Sequence, residues 1–291
     1  AKLVCSSSGS TLDAVVLDAD SRVLEGGEVI VVNGLTLNGT ATLAGRLSRI
    51  GFTGTQSLVG TGTVVFGDLP GDIYPFVGLT TAGTVLTIGP AITIRSGTRN
   101  GYLGYWPWTS PKSLSVVNQG RIVADVPGKT IRLWSGAFTN QGTVEAETGG
   151  IVTIDMNNWE NVGTLTAAGG TLTLEGAWTN TGTITSTADS TLTLNGDWTN
   201  IGTITSVDGT LNLGGTFTLA DLSMGSLSYS PGTIKVTGAL ENSGTTLALN
   251  ADTGDWTLSG GRINGGTITG ADGAKLVCSS SGSTLDAVVL D

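Results

Sequence analysis

The amino-acid sequence predicts an all-β protein folded as a β-solenoid, in which short strands coil around one axis and stack on each other. Aromatic residues recur at the nearly evenly spaced positions 138, 159, 178, 198 and 217. Between them, threonine alternates with an aliphatic residue, which is the two-residue period of a strand. Stretches with the helical period of roughly 3.6 are missing, so we expect almost no helix. A period of roughly 20 residues that contains several short strands is typical of solenoids.

The composition argues against several classes of function. The 291 residues include 13 Lys+Arg and 23 Asp+Glu, and the net charge of -10 disfavours nucleic acid as a partner. There is no histidine to serve as a metal ligand or general base, and two cysteines cannot form a four-cysteine zinc site. No apolar run approaches the roughly 20 residues of a membrane helix. We therefore expect no metal, no cofactor and no membrane span in this segment.

The first element of the prediction is the strand that repeats in each coil. In the segment that begins at Thr171, alternation points Leu172 and Leu174 into the coil and Thr171 and Thr173 outward. Neighbouring coils should bury these apolar faces against each other. The predicted apolar stack consists of Val152, Ile154, Leu172, Leu174, Leu192, Leu194, Leu211 and Leu213.

The second element is the step that follows each strand, an aromatic residue followed two positions later by asparagine and then by Gly-Thr. Glycine and asparagine suit the corners of a coil, where φ is often positive. We predict an aromatic column of Trp159, Trp178, Trp198 and Phe217, and an amide ladder of Asn140, Asn161, Asn180 and Asn200 at one corner. About twelve coils fit into positions 1–273, which at roughly 4.8 Å each gives a length on the order of 55–60 Å.

The third element is the repeat at the two ends of the chain, because residues 1–18 and 274–291 are identical. We interpret residues 1–273 as one full tandem repeat of a continuous solenoid and residues 274–291 as the start of the next. An engineered duplication is the alternative. We expect the two copies to adopt the same conformation, related by a screw along the axis. Their cysteines, Cys5 and Cys278, should lie too far apart to bond each other.

The regular pattern breaks near residues 97–113, where we predict a loop that projects from the solenoid. It contains Tyr102, Tyr105, Trp106 and Trp108. These aromatic side chains could stack on sugar rings or contact a neighbouring filament. The alternative is that the loop folds back and covers one face. Residues 68–76 are a second irregular stretch and are predicted to form another loop.

Two other functions find less support in the residues. β-Helices include polysaccharide-acting enzymes, which need clustered carboxylates. The acidic groups at Asp13, Asp18 and Asp20, at Asp68 and Asp72, and at Asp252 and Asp255 do not recur at one coil offset. We therefore expect no enzyme activity. Outward threonine pairs resemble an ice-binding array, but only a few consecutive coils keep them.

The repeated segments resemble giant bacterial β-strand-repeat surface proteins, which are similar in style to filamentous-haemagglutinin-like adhesins. The resemblance lies in segments such as Gly34-Leu-Thr-Leu-Asn-Gly-Thr, Phe138-Thr-Asn-Gln-Gly-Thr and Ile263-Asn-Gly-Gly-Thr-Ile-Thr. It implies a structural segment of a long fibre, extracellular or at the cell surface, that acts in adhesion or as a matrix scaffold. The expected partners are further copies of the repeat in the same chain, other fibres packed laterally, or surface glycans. The main alternative is a carbohydrate-binding adhesin that uses the 97–113 loop.

Overall fold

The computed structural model of the chain describes residues 2–6, 9–68, 74–104, 114–134, 136–222, 228–230 and 232–291. Across these residues the secondary structure consists of β-strands and the turns between them, with no helix. The prediction of an all-β protein is confirmed.

The strands, in chain order, are β1 Leu3–Cys5, β2 Ser10–Leu17, β3 Ser21–Val23, β4 Glu28–Leu37, β5 Thr40–Leu43, β6 Arg49–Phe52, β7 Gln56–Val59, β8 Thr63–Phe66, β9 Phe76–Leu79, β10 Thr84–Ile88, β11 Thr93–Ser96, β12 Gly101–Gly104, β13 Leu114–Asn118, β14 Arg121–Ala124, β15 Thr130–Trp134, β16 Ala137–Asn140, β17 Thr143–Glu147, β18 Ile151–Asn161, β19 Thr164–Ala168, β20 Thr171–Asn180, β21 Thr183–Ser186, β22 Thr191–Leu194, β23 Asp197–Asn200, β24 Thr203–Val207, β25 Thr210–Leu213, β26 Thr216–Phe217, β27 Ser228–Ser230, β28 Thr233–Val236, β29 Ala239–Glu241, β30 Thr246–Leu249, β31 Trp256–Leu258, β32 Arg262–Asn264, β33 Thr267–Gly270, β34 Leu276–Cys278, β35 Thr284–Asp286 and β36 Val289–Leu290.

These strands form three parallel stacks that run the length of the described chain. Stack 1 contains the first halves of β2, β4, β18 and β20 together with β6, β9, β12, β15, β22, β25, β28, β31 and β34. Stack 2 contains the second halves of the same four strands together with β7, β10, β13, β16, β23, β26, β29, β32 and β35. Stack 3 contains β1, β3, β5, β8, β11, β14, β17, β19, β21, β24 and β27, and the strands β30, β33 and β36 take its position in the last three coils.

Each coil therefore passes once through stacks 1, 2 and 3 before the chain rises to the next coil. From β2 to β36 the described strands form thirteen such coils. From β1 to the strand of equal sequence, β34, the chain makes twelve coils and one further strand. The prediction of a β-solenoid with about twelve coils is confirmed.

The interior is a set of apolar columns aligned along the axis, because strand pairing keeps equivalent positions in register. Val152 pairs with Leu172, and that column continues through Leu192 to Leu211. All eight members of the predicted apolar stack are fully buried, as expected: Val152, Ile154, Leu172, Leu174, Leu192, Leu194, Leu211 and Leu213. Each coil buries its apolar face only against its neighbours, so stability depends on the stack.

The corner between stacks 1 and 2 requires glycine in the middle coils. Gly196 has φ +84°, a conformation that L side chains rarely adopt. A Cβ atom added there would lie 1.9 Å from the carbonyl oxygen of Gly176 in the coil before it. A residue with a Cβ atom therefore cannot take the place of glycine at this corner.

The irregular stretch at 97–113 was predicted wrongly in its first part. Gly101–Gly104 forms β12, which lies in stack 1 and pairs with β9 on one side and β15 on the other. The sequence hides this strand because Gly101 faces inward: a Cβ atom there would lie 2.2 Å from the ring of Phe66, which fills the space. The end of the second irregular stretch is likewise a strand, since Phe76 begins β9.

The two identical segments keep similar local structure but lie in different stacks. Leu3 pairs with Ser21 in stack 3, whereas Leu276 pairs with Trp256 in stack 1. The expected screw relation therefore includes a shift of one stack, which the sequence comparison did not predict. Cys5 and Cys278 are both free thiols.

Candidate functional site

An aromatic column runs through the interior of stack 2. The ring centroids of Trp159 and Trp178 lie 5.3 Å apart, those of Trp178 and Trp198 also lie 5.3 Å apart, and Phe217 follows at 5.6 Å. The planes differ by only 8° between Trp178 and Trp198. All four rings are buried, and each indole N–H donates to a backbone carbonyl in the next coil. Phe138 continues the column in the preceding coil with a tilted contact at 6.4 Å.

An amide ladder lies two positions after the column in each coil. The side-chain NH₂ of Asn140 donates to the side-chain oxygen of Asn161 at 2.8 Å, Asn161 donates to Asn180 at 2.7 Å, and Asn180 donates to Asn200 at 2.6 Å. Sequence reasoning missed its first member, Asn118, which donates to Asn140 at 2.8 Å. The repeated Asn-Gln-Gly at 118 and 140 was the available signal.

The position of these asparagines corrects one detail of the prediction. They end the strands of stack 2 with buried side chains, and none is among the residues with positive φ. Each amide also donates to a carbonyl of the turn beside it, as Asn140 does to Gly142, and Asn140 donates in addition to the carbonyl of Thr164 in the next coil. The backbone carbonyl of Asn140 accepts hydrogen bonds from two N–H groups of the next coil. The ladder and the column together link six successive coils, from β13 to β26, which is a structural role.

Positive φ at residues other than glycine occurs mostly at two other corners. Thr148, Asp189 and Asp208 adopt it after stack 3, and Ala14 and Asn33 adopt it between stacks 1 and 2.

A second aromatic cluster lies on the outer side of stack 1 and is built from Tyr74, Tyr102, Arg132 and Trp134. We call these four residues the outer aromatic cluster. The rings of Tyr74 and Tyr102 meet edge to face at 4.8 Å, and Trp134 lies 6.3 Å from Tyr102. The Arg132 guanidinium lies 5.4 Å from the centre of the Trp134 ring, within range of a cation–π contact. A recess of about 100 Å³ is lined by the two tyrosines and Arg132, together with Asn100, Gly101 and Thr130.

Two features of the outer aromatic cluster suit a polar ligand. Burial raises the pKa of Tyr102 above its ordinary value, and the nearby Tyr74 adds a smaller increase, while Arg132 opposes both. The phenol therefore keeps its proton near neutral pH. One arm of Arg132 forms an ion pair with Asp155, but its Nε has no hydrogen-bond partner among the described residues. A buried donor without a partner favours a ligand or water that satisfies it.

Of the four aromatic residues in the predicted contact loop, only Tyr102 is in the described part of the chain, where it is half-buried in β12. Tyr105, Trp106 and Trp108 lie outside the described residues. Tyr74 and Trp134 belong to the same cluster and were not predicted.

Several of the carboxylates considered for catalysis bond to other coils. Asp13 accepts from Asn33 and Asp18 accepts from Asn38, both at 2.7 Å. Asp68 forms an ion pair with Arg22. No group of acidic or cysteine side chains in the described part of the chain is arranged to hold a metal ion.

A charged group outside the outer aromatic cluster joins Arg121 to Glu145 and Glu147. Burial lowers the pKa of the Arg121 guanidinium, but the two carboxylates outweigh it and raise the pKa above its ordinary value. Arg121 stays charged at any pH of interest, so these contacts are ion pairs between coils.

Comparison with known protein families gives one match, the model described as the BigA fourth domain, which covers residues 109–287. That range is more than half of the chain. The chain belongs to the BigA fourth-domain family. The comparison with curated proteins finds no match, and the comparison with solved structures finds none either.

Membership of this family fits a bacterial surface protein with adhesin-like β-repeats. The matched range contains the aromatic column and the amide ladder, whereas two members of the outer aromatic cluster, Tyr74 and Tyr102, precede it. The family match therefore describes the scaffold more than the cluster. In the described part of the chain, no helix has the length and apolar character needed to cross a bilayer.

Proposed function

We propose that the chain is a structural repeat segment of a long extracellular β-solenoid fibre that projects from a bacterial surface. The observation that carries the proposal is the unbroken register of stack 1, in which thirteen strands from β2 to β34 pair in parallel. Such a stack has no natural limit to its length, because each added coil covers the apolar face of the one before.

The interior supports a role as a scaffold. Repeated columns, rather than one globular core, fill the solenoid, and one of these columns is built of stacked indole rings. The partners assigned by the proposal are further copies of the repeat in the same chain and, laterally, other fibres. It assigns the fibre no enzymatic activity and no cofactor. The resemblance to filamentous-haemagglutinin-like adhesins remains part of the proposal.

Antibodies raised against residues 1–291 provide the test, applied to intact and permeabilised cells of the bacterium that produces the protein. Gold-labelled antibody should decorate intact cells along thin fibres of uniform width. Labelling that appears only after permeabilisation would overturn the proposed location. An antibody against a cytoplasmic protein is the control for cell integrity.

The outer aromatic cluster favours a second candidate function, the binding of glycans by the fibre. The apolar faces of sugar rings pack on aromatic side chains such as Tyr102 and Trp134. The guanidinium of Arg132 offers fixed hydrogen-bond donors to sugar hydroxyl or carboxylate groups. The recess lined by Tyr74, Tyr102 and Arg132 is open on the outer surface of the solenoid, where a chain of sugars could reach it.

A glycan array tests this second function on the 291-residue chain. Trp134→Ala and Arg132→Gln should each reduce binding to the glycans that the unaltered chain binds, by about tenfold or more, since each removes a group worth at least about 1.4 kcal/mol. Thr179→Ala, on the outer side of stack 2, is the matched control and should bind normally. Equal binding by all three variants, or no glycan bound by the unaltered chain, would reject the candidate.

A further inference from the structure

The identical segments at the two ends of the chain share their strands and one turn. Leu3–Cys5 and Leu276–Cys278 are both strands. The backbone then turns at equivalent alanines with nearly equal positive φ, 50° at Ala14 and 54° at Ala287. These strands and this turn therefore recur at both ends, although the link before the second strand differs, since Gly282 has φ +73° and its equivalent Gly9 is not among the residues with positive φ.

All three strands of the second copy lie one stack further around the solenoid than those of the first. The segment Leu3–Cys5 lies in stack 3, and its copy lies in stack 1, because it pairs with β31. The residues before Ala14 pair with β4 in stack 1, and their copy pairs with β32 in stack 2. The residues after Ala14 lie in stack 2, and their copy pairs with β33 in the position of stack 3.

Three consecutive pairings therefore give the same shift in the same direction. From β1 to β34 the chain passes through twelve coils and one strand. With three strands in each coil, the tandem repeat contains one strand more than a whole number of coils.

We propose that consecutive tandem repeats of the fibre are rotated by one face of the three-sided solenoid. The fourth repeat then returns to the orientation of the first. This inference rests on the tandem fibre proposed above. Each repeat would advance the axis by about 60 Å, from twelve coils and one strand at roughly 4.8 Å per coil.

The inner columns allow this rotation. The amide ladder spans only Asn118 to Asn200, so it does not cross the junction between repeats and does not tie one stack to the same stack of the next repeat. At the junction, the strand that begins at Leu276 pairs with Trp256 and Leu258, which are both fully buried and apolar. The second copy therefore begins on a buried apolar surface in stack 1.

The rotation has a consequence for recognition by the fibre. A feature that occurs once per repeat, such as the outer aromatic cluster, would face three directions in turn along the fibre. A fibre built in this way presents the cluster on all three faces around its circumference. If each repeat consisted of whole coils, every copy would lie on the same face, and only the gradual twist of the solenoid would separate their directions.

Cryo-electron microscopy of the protein with at least three consecutive repeats tests the inference. The map gives the helical twist per coil within one repeat, and this value multiplied by the number of coils is the twist accumulated over the repeat. That accumulated twist is then subtracted from the rotation angle between successive copies of the same segment. A remainder of about one third of a turn is expected. A remainder near zero in a continuous solenoid would overturn the rotation alone. A break in the solenoid at Ala274 would overturn the proposed fibre as well.

A second measurement reads the same angle without an atomic map. Ile201 is 79% exposed, so Ile201→Cys in every repeat, with Cys5 and its copies replaced by alanine, provides one gold-labelling site per repeat. After correction for twist, successive labels should appear on three sides of the fibre. Labels in a single row would overturn the inference.

Discussion

Replacement of Trp178 by alanine should destabilise the middle coils more than any change on the outer side of the same strand. The Trp178 ring is 3% exposed and lies 5.3 Å from an indole on each side. Its N–H donates to the carbonyl of Asn195 at 2.9 Å. The substitution therefore removes two ring contacts and one hydrogen bond, and it leaves a cavity in a rigid stack.

The expected cost can be worked out from these contacts. Truncation of a buried aromatic side chain to alanine costs about 3–5 kcal/mol, which includes the cavity. Trp178→Phe keeps a ring in the column but loses the hydrogen bond, which is worth about 1 kcal/mol net. Thr179→Ala, which points outward from the next position, should cost about 0.5 kcal/mol or less.

Hydrogen exchange followed by mass spectrometry is the suitable assay, because a solenoid opens locally and coils interact mainly with their neighbours. In Trp178→Ala, exchange in β18, β20 and β23 should accelerate by about two to three orders of magnitude, since each step of about 1.4 kcal/mol is a factor of ten. Exchange in β4 and β5, more than five coils away, should not change. Equal protection in Trp178→Ala and Thr179→Ala would refute the claim that the column holds these coils together.

Three further changes test other parts of the structure. Asn161→Leu should lower the free energy of unfolding by about 2–6 kcal/mol, because the amides on either side each lose a buried partner worth about 1–3 kcal/mol. A loss below about 1 kcal/mol in denaturant titration would contradict a stabilising role for the ladder. Gly196→Ala should prevent the native coil from forming. Gly83 has φ +69° and open space around it, so Gly83→Ala should lower the free energy of unfolding by only about 1–2 kcal/mol. Thermal melting followed by circular dichroism would show whether this order holds. In the 291-residue chain a maleimide should label exposed Cys278 quickly and buried Cys5 slowly. In a chain extended by one more coil, both cysteines should be protected from labelling. Unchanged labelling of Cys278 in the longer chain would show that no coil stacks there.

The regular part of the fold was predictable because each coil there has nearly the same length. Pairing partners such as Trp178 and Trp198 are also neighbours in the periodic series of aromatic residues, and the aromatic spacing therefore gave the register directly. Asn118 could have been found as well, but Val116 stands where the next coil has Phe138, so its segment lacked the aromatic signal.

The outer aromatic cluster was not predictable because the coils around it are longer and unequal. Tyr102 pairs with Phe76 in one neighbouring coil and with Arg132 in the other, and the two separations in sequence differ. Both separations exceed the one between Trp178 and Trp198 in the regular coils. No single sequence period therefore aligns the aromatic members of the cluster.

The strand β12 was hidden for a different reason. Phe66 supplies the apolar bulk that Gly101 lacks, so the segment carries no apolar side chain at that inward position.

The rotation between copies could not be seen in the sequence, because identity reports the period in residues and not in strands. Only the pairing shows that twelve coils and one further strand separate the two identical segments.

The central claim, that these repeats continue as one solenoid, is tested most directly by the length of chains with increasing numbers of repeats. Electron microscopy or atomic force microscopy of chains with one, two and three repeats measures it. Each added repeat should lengthen a rod of constant width by about 60 Å, since every coil adds roughly 4.8 Å. A string of separate globules, or a length that does not increase in proportion to the number of repeats, would contradict the account.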